Sequence, residues 1–163
     1  TVGWDCMISL LQKSEANQAA FRSANGVTVI LPLLISDDHR TGVLRILSCL
    51  ITEDVNQVHH EELEAVIDVL KCGVVTGISG HQHKLHYEAI CDTMGALWRI
   101  LGVNVSAQRV FGEVTGFSLL LTTLHTFREG ECMNESHLMV YIKLFKHLLR
   151  LMTTAVCENA VNR

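Results

Sequence analysis

Residues 8–34 return, without a gap, as residues 98–124. At this shift of 90 residues Ile8 falls on Trp98, Leu11 on Leu101, Gln18 on Gln108, Phe21 on Phe111, Gly26 on Gly116, Leu31 on Leu121 and Leu34 on Leu124. Each copy reads as the end of one helix, a short polar link, a short helix, a glycine corner and a further apolar helix. Two- and three-helix repeat units have a period of ~40–47 residues, so a spacing about twice that places one more unit between the copies. The chain is therefore expected to be all-α, built from stacked helical repeats.

Composition is oily for a free-standing domain: of 163 residues, 48% are apolar and 18% charged, with a mean hydropathy of +0.27. A dense helical core explains part of this. End faces that meet more chain explain the rest, and with no start signal before Thr1 they suggest a segment of a longer solenoid. A formal charge of −4 and a pI of about 6.1 give no field that would draw nucleic acid or an anionic membrane. No stretch reaches the ~20 apolar residues of a membrane span, and no basic-then-apolar leader is present. The six cysteines are scattered and never paired as CxxC, which fits small buried thiols in a reducing compartment. Asn104 and Asn134 head formal glycosylation triplets that a cytoplasmic protein leaves bare.

Periodicity predicts a first helix over 2–13, with Trp4, Met7, Ile8 and Leu11 as its stripe. Ser14 is expected to cap a short helix over 15–23 that packs through Ala16, Ala19, Ala20 and Phe21. Gly26 then turns the chain beside Asn25. Residues 27–35 hold β-branched side chains and Pro32, but the second copy is leucine-rich there. Both are read as helical, with a kink or late start at Pro32. Asp37 or Asp38 should cap a helix over 39–51 that buries Val43, Ile46, Leu47 and Leu50. After a polar link over 52–60, a helix over 61–72 buries Leu63, Val66, Ile67 and Leu70, while Glu61, Glu62 and Glu64 suit its N-terminal end. Gly73, Gly77 and Gly80 predict a flexible loop over 73–83. The helix over 84–101 uses Ile90, Met94, Leu97, Trp98 and Leu101 and stops at Gly102, and Ser106 caps the next. The last helix, over 135–157, should bury Leu138, Tyr141, Ile142, Phe145, Leu148, Leu149 and Met152.

Few residues invite chemistry. His81, His83 and His86 form a histidine cluster, but a fourth zinc ligand has no evident source and the surroundings are glycine-rich, so a solvated link is the reading. Cys49 and Cys91 lie in apolar runs, where thiols are inert packing residues. Glu88 and Asp92 share a helical face without a facing pair, and Gly73 to Gly77 lacks the spacing and lysine of a phosphate loop. No catalytic, cofactor or metal residue is assigned, and an enzyme is not expected. Lys143, Lys146, His147 and Arg150 make a basic stripe that is either a solvated helix side or a contact for a phosphate, an acidic peptide or a membrane surface.

The run from Asn17 to Val27, leading into Leu31-Pro32-Leu33-Leu34, resembles an armadillo-type unit, as does Ala107 to Leu124 with Val114-Thr115-Gly116-Phe117 at its corner. The family's double glycine is single in both copies. Gly95 to Gly102, through Phe111-Gly112-Glu113-Val114-Thr115-Gly116-Phe117, is similar to the N-terminal helical region of the large BEACH–WD40 scaffold family, and most like its autophagy-linked FYVE branch or the immune-cell relative of that branch. The resemblance implies a cytoplasmic or membrane-associated scaffold in selective autophagy or vesicle traffic. The family's BEACH, WD40 and FYVE modules lie outside these residues, so lipid and autophagy-factor binding are not carried over.

The expectation is thus a single all-α armadillo/HEAT-like α-solenoid segment over 1–163. Its partners would be an unidentified protein and neighbouring repeats of the same chain, with the apolar ends also able to join two copies. Nucleic acid is not expected, and membrane association would come only through domains outside the segment. In such solenoids the third helices of successive units line the groove. The outward residues of 39–51, 84–101 and 137–156 are the candidates, namely Arg45, Glu88, Asp92, Arg99, Lys143 and Arg150. A plain structural spacer, or a helical module that contacts a membrane, is the alternative.

Overall fold

A computed structural model of the chain describes residues 2–53, 60–76, 83–114, 116–128 and 135–156. Among them every regular element is helical and no strand occurs. The elements are α1 (Val2–Leu11), α2 (Glu15–Ser23) and α3 (Gly26–Ile30), which runs into a 3-10 helix (Leu31–Ile35). Then come α4 (Asp37–Glu53), α5 (His60–Thr76), α6 (His83–Val103), α7 (Val105–Glu113), α8 (Gly116–Arg128) and α9 (Glu135–Val156).

The repeat takes physical form at two corners. Ser14 caps α2 by accepting the Asn17 N–H at 3.4 Å, and Asn104, at the same place in the second copy, caps α7 by accepting the Ala107 N–H at 2.9 Å. Each cap is worth about 1 kcal/mol. Gln18 and Gln108 are both buried, and their Nε2 groups donate to the carbonyls of Leu11 at 3.0 Å and Leu101 at 2.7 Å. A helix end leaves its last carbonyls without intrahelical donors, and the glutamine amide supplies one. Asn104 also donates Nδ2–H to the Ile51 carbonyl at 3.0 Å, tying the second corner to the end of α4. Buried and engaged at both side-chain atoms, Asn104 is closed to glycosylation in this fold.

Several expected details change here. Ser106 lies inside α7, and α6 continues through Gly102 to Val103, so Asn104 makes the break. In α2 the three alanines are exposed and Gln18 is the buried residue, because its hydrogen bond draws it inward while alanine has little surface to cover. Residues 27–35 are helical as expected, but the chain tightens from α to 3-10 at Pro32, which has no N–H for an α ladder. Asn25 precedes the corner at φ 57, a left-handed conformation asparagine tolerates. Asp37 and Asp38 sit within the first turn of α4 rather than capping it. Ser36 precedes the helix and its carbonyl accepts the Arg40 N–H at 2.8 Å, while Asp37 pairs with the Arg40 guanidinium at 2.6 Å.

In the core, α1 packs on α4, α4 on α6 and α6 on α9, making a row; α5 and α7 also pack against α6. Val43, Ile46, Leu47 and Leu50 of α4 and Leu63, Val66, Ile67 and Leu70 of α5 are fully buried, as their periodicity requires. Gly42 lets α1 lie close: a Cβ there would collide with the Trp4 ring. Helix α5 extends to Thr76, so the start of the loop expected over 73–83 is helical, His83 opens α6, and 77–82 lie outside the described residues. The polar link loses Thr52 and Glu53 to α4 and His60 to α5, its remainder also lying outside them.

Three buried-face expectations are overturned. Trp98 is exposed rather than core, with the Arg150 guanidinium 5.6 Å from its ring centroid. Glu62 is buried rather than a solvated helix-end charge, and pairs with Arg22 at 3.0 Å. Helix α9 buries Leu144, Leu148, Leu151 and Ala155, whereas Ile142, Phe145 and Leu149 face solvent and Met152 is half-buried. Its apolar residues cover two faces of the helix and α6 takes only one. The side chains of Leu138 and Tyr141 lie outside the described set.

Candidate functional site

The row of helices α1, α4, α6 and α9 encloses an open groove of about 620 Å³. Helical spacing explains its lining: Thr41, Arg45, Ser48 and Thr52 recur along α4, Asp92, Gly95 and Arg99 along α6, and Lys143 and His147 along α9. Gly95 keeps the floor low, since a Cβ there would project into open space. Arg45 pairs with Asp5 of α1 at 2.6 Å, and the Thr41 hydroxyl donates to Asp92 at 3.3 Å. Arg99 and Lys143 make no ion pair among the described residues. Among the described residues the groove thus offers two cations without an ion-pair partner, Arg99 and Lys143, and the Asp92 carboxylate in the same lining.

Of the six residues chosen from sequence, Arg45, Asp92, Arg99 and Lys143 come together here. Glu88, one turn before Asp92 on the same face of α6, is exposed and lies beyond the groove's lining. Arg150 is also outside, lying over Trp98. The basic stripe accordingly divides: Lys143 and His147 face the groove, while Lys146 and Arg150 flank a separate apolar surface. Sequence reasoning missed Gln12, Thr41 and Glu53. Nothing in their types marks them; only the approach of α1 and α6 to α4 does. Glu53 accepts the Lys13 N–H and the Gln18 Nε2–H, each at 2.6 Å, and so holds the α1–α2 corner against the groove's end.

The groove's two thiols are shifted away from reactivity. Burial, then the neighbouring Glu53 carboxylate, pushes the Cys49 thiol up to about 11, so at neutral pH its thiolate fraction is about 1 in 10,000. Burial also raises Cys91, partly offset by Lys143. Among the described residues no three His, Cys, Asp or Glu side chains converge to hold a metal. Of the histidine cluster, His81 lies outside the described residues, and His83 and His86 fall in the first turn of α6.

His147 carries a pH prediction. Burial, followed by repulsion from Lys143, Arg150 and Lys146, lowers it below its ordinary 6.5, with Asp92 opposing weakly. The unfolded chain then binds this proton at a higher pH than the folded one, so stability rises with pH in that window. The contribution is fully present above 6.5 and is lost as pH falls through that value toward the depressed folded pKa. In urea melts between pH 7.5 and 5, His147→Gln should flatten the acid-side decline; an unchanged decline would remove His147 as its source.

The geometry defines an all-helical segment with an open groove of mixed charge. Over 164 residues, covering 100% of the chain, it is 79% identical to BEACH domain-containing protein A2 of Arabidopsis thaliana, and 77% identical over the same span to Protein SPIRRIG of that plant. The chain spans about 5% of the length of each of these large proteins. No family model matches it, and no solved structure does.

Proposed function

We propose that this chain is a non-catalytic interaction segment of a large BEACH-type scaffold protein, an armadillo-like stretch of solenoid that holds a partner protein in the groove between α4, α6 and α9. The observation that carries this reading is that α4, α6 and α9 bring Arg45, Asp92, Arg99 and Lys143 to one open groove. With Arg45 engaged by Asp5, the ligand contacts fall to Arg99 and Lys143, which suit an extended segment bearing carboxylates. The internal repeat and the likeness to BEACH domain-containing protein A2 support the scaffold part of the proposal. The resemblance to the FYVE branch motivates its setting: the cytoplasm, at endomembranes reached through other domains, in selective autophagy or vesicle traffic.

The test is to immobilise the chain, identify retained cytosolic proteins by mass spectrometry, and measure the affinity of each for defined variants. Arg99→Glu with Lys143→Glu should weaken the true partner about tenfold or more, a loss of at least ~1.4 kcal/mol. Arg150→Glu, outside the groove, should leave it bound. A partner insensitive to the double reversal would move the binding face elsewhere, and saturable binding of nothing at all would leave a structural spacer.

A further inference from the structure

The correspondence between the copies continues, with an insertion, into the helices that close them, α4 and α9. Placing α4 on α9 at a shift of 98 residues sets Arg45 on Lys143 and Cys49 on His147, all of which line the groove. It also sets Ile46 on Leu144 and Leu50 on Leu148, all of which are buried. A further apolar face is shared by the two helices: Leu44, which also borders the groove, Leu47 and Ile51 in α4, and Ile142, Phe145 and Leu149 in α9. In α4 it is 2%, 0% and 1% exposed; in α9 it is 55%, 49% and 49% exposed. The side chains are equally apolar, so the difference lies in what covers them. Helix α4 packs against α1 and the 3-10 helix before it and against α5 and α6 after it. Among the described residues, the helices that pack on α9, namely α6, α7 and α8, all precede it.

We propose that this face of α9 seats a further helical hairpin of the α5–α6 kind, supplied by polypeptide that follows α9 in the same protein. Ile142, Phe145 and Leu149, with Lys146 and Arg150 at the edge, already form an open depression of about 540 Å³. Both Arabidopsis relatives carry far more chain than the matched segment, so proteins of this kind have polypeptide to supply. The alignment also specifies chemistry. Lys146 stands where α4 has the buried Ser48, and an ammonium covered by a hairpin needs a counter-charge, so the incoming hairpin brings a carboxylate to that edge. The inference rests on the reading of the chain as part of a longer repeat protein, and is independent of what the groove holds.

The test compares the chain with a version extended by the next ~45 residues of its reading frame, about one repeat. Carbene footprinting with mass spectrometry reads the two residue by residue. Labelling of Ile142, Phe145 and Leu149 should fall severalfold in the extended chain, while Val29, exposed at the opposite end, labels equally in both. Phe145→Asp with Leu149→Asp should leave the shorter chain folded, since both side chains already meet water, and should restore Ile142 labelling in the longer one. Equal labelling of α9 in both chains overturns the proposal, as does a reading frame that closes at Arg163. Protection that appears in the shorter chain with rising concentration, together with a dimer in sedimentation, gives the face to a second copy and also overturns it. The Arg99 and Lys143 reversals, on another face of the row, report separately on the groove.

Discussion

Arg22→Ala is expected to lower the unfolding free energy by about 3 kcal/mol, because it strands the buried Glu62 carboxylate. The Arg22 Nε donates to Glu62 at 3.0 Å, and one terminal nitrogen reaches the Leu50 carbonyl at 3.1 Å, so a single guanidinium joins α2, α4 and α5. Removing it leaves a charge in a site with little water. Replacing both partners with apolar residues, Arg22→Leu with Glu62→Leu, should recover most of the loss, since no charge then remains to be solvated. Urea unfolding monitored by circular dichroism measures both. A loss under ~1 kcal/mol for Arg22→Ala would assign the pair the weight of a surface bridge. The second copy has Gly112 in the place of Arg22, so this tie belongs to the first copy alone.

Phe111→Ala should cost about 4 kcal/mol, near the upper range for a buried aromatic. Phe111 is fully buried, with the Phe117 ring edge-on at 5.8 Å. Its counterpart Phe21 is only half-buried, lying over Gly26, so Phe21→Ala should cost about half as much. Paired thermal or urea melts of the two variants test whether matched positions carry matched energies. Equal losses would mean that Phe21 is covered better in solution than its position at the end of the row provides.

The corners were the most legible part of this protein. A cap side chain, a glutamine four residues on and a glycine after the next helix are local patterns, and their repetition at a spacing of 90 residues marks them as one structural unit used twice. The alignment even held the correction to the second cap: Ser14 falls on Asn104, while the nearby Ser106 invites the wrong choice. Groove residues were legible in part. Arg45, Asp92, Arg99 and Lys143 lie on the polar sides of amphipathic helices, which periodicity exposes directly. Glu88 and Arg150 lie on the same faces of the same helices as Asp92 and Lys143, but one and two turns along them. How far the groove extends along each helix is set by the neighbours. Gln12 and Glu53 were illegible, because their role depends on where the α1–α2 corner meets the end of α4.

Helix content, the Ser14 cap, the corner at Gly26, the tightening at Pro32 and the twofold use of one unit were determined by sequence alone. Each depends on hydrogen bonds or dihedrals within about a turn of chain. Tertiary structure decided which side of each helix is covered. Trp98, Glu62 and the outer face of α9 all departed from expectation for that reason: a helix with apolar residues on two faces states its period, but burial is set by the helices that arrive to pack against it.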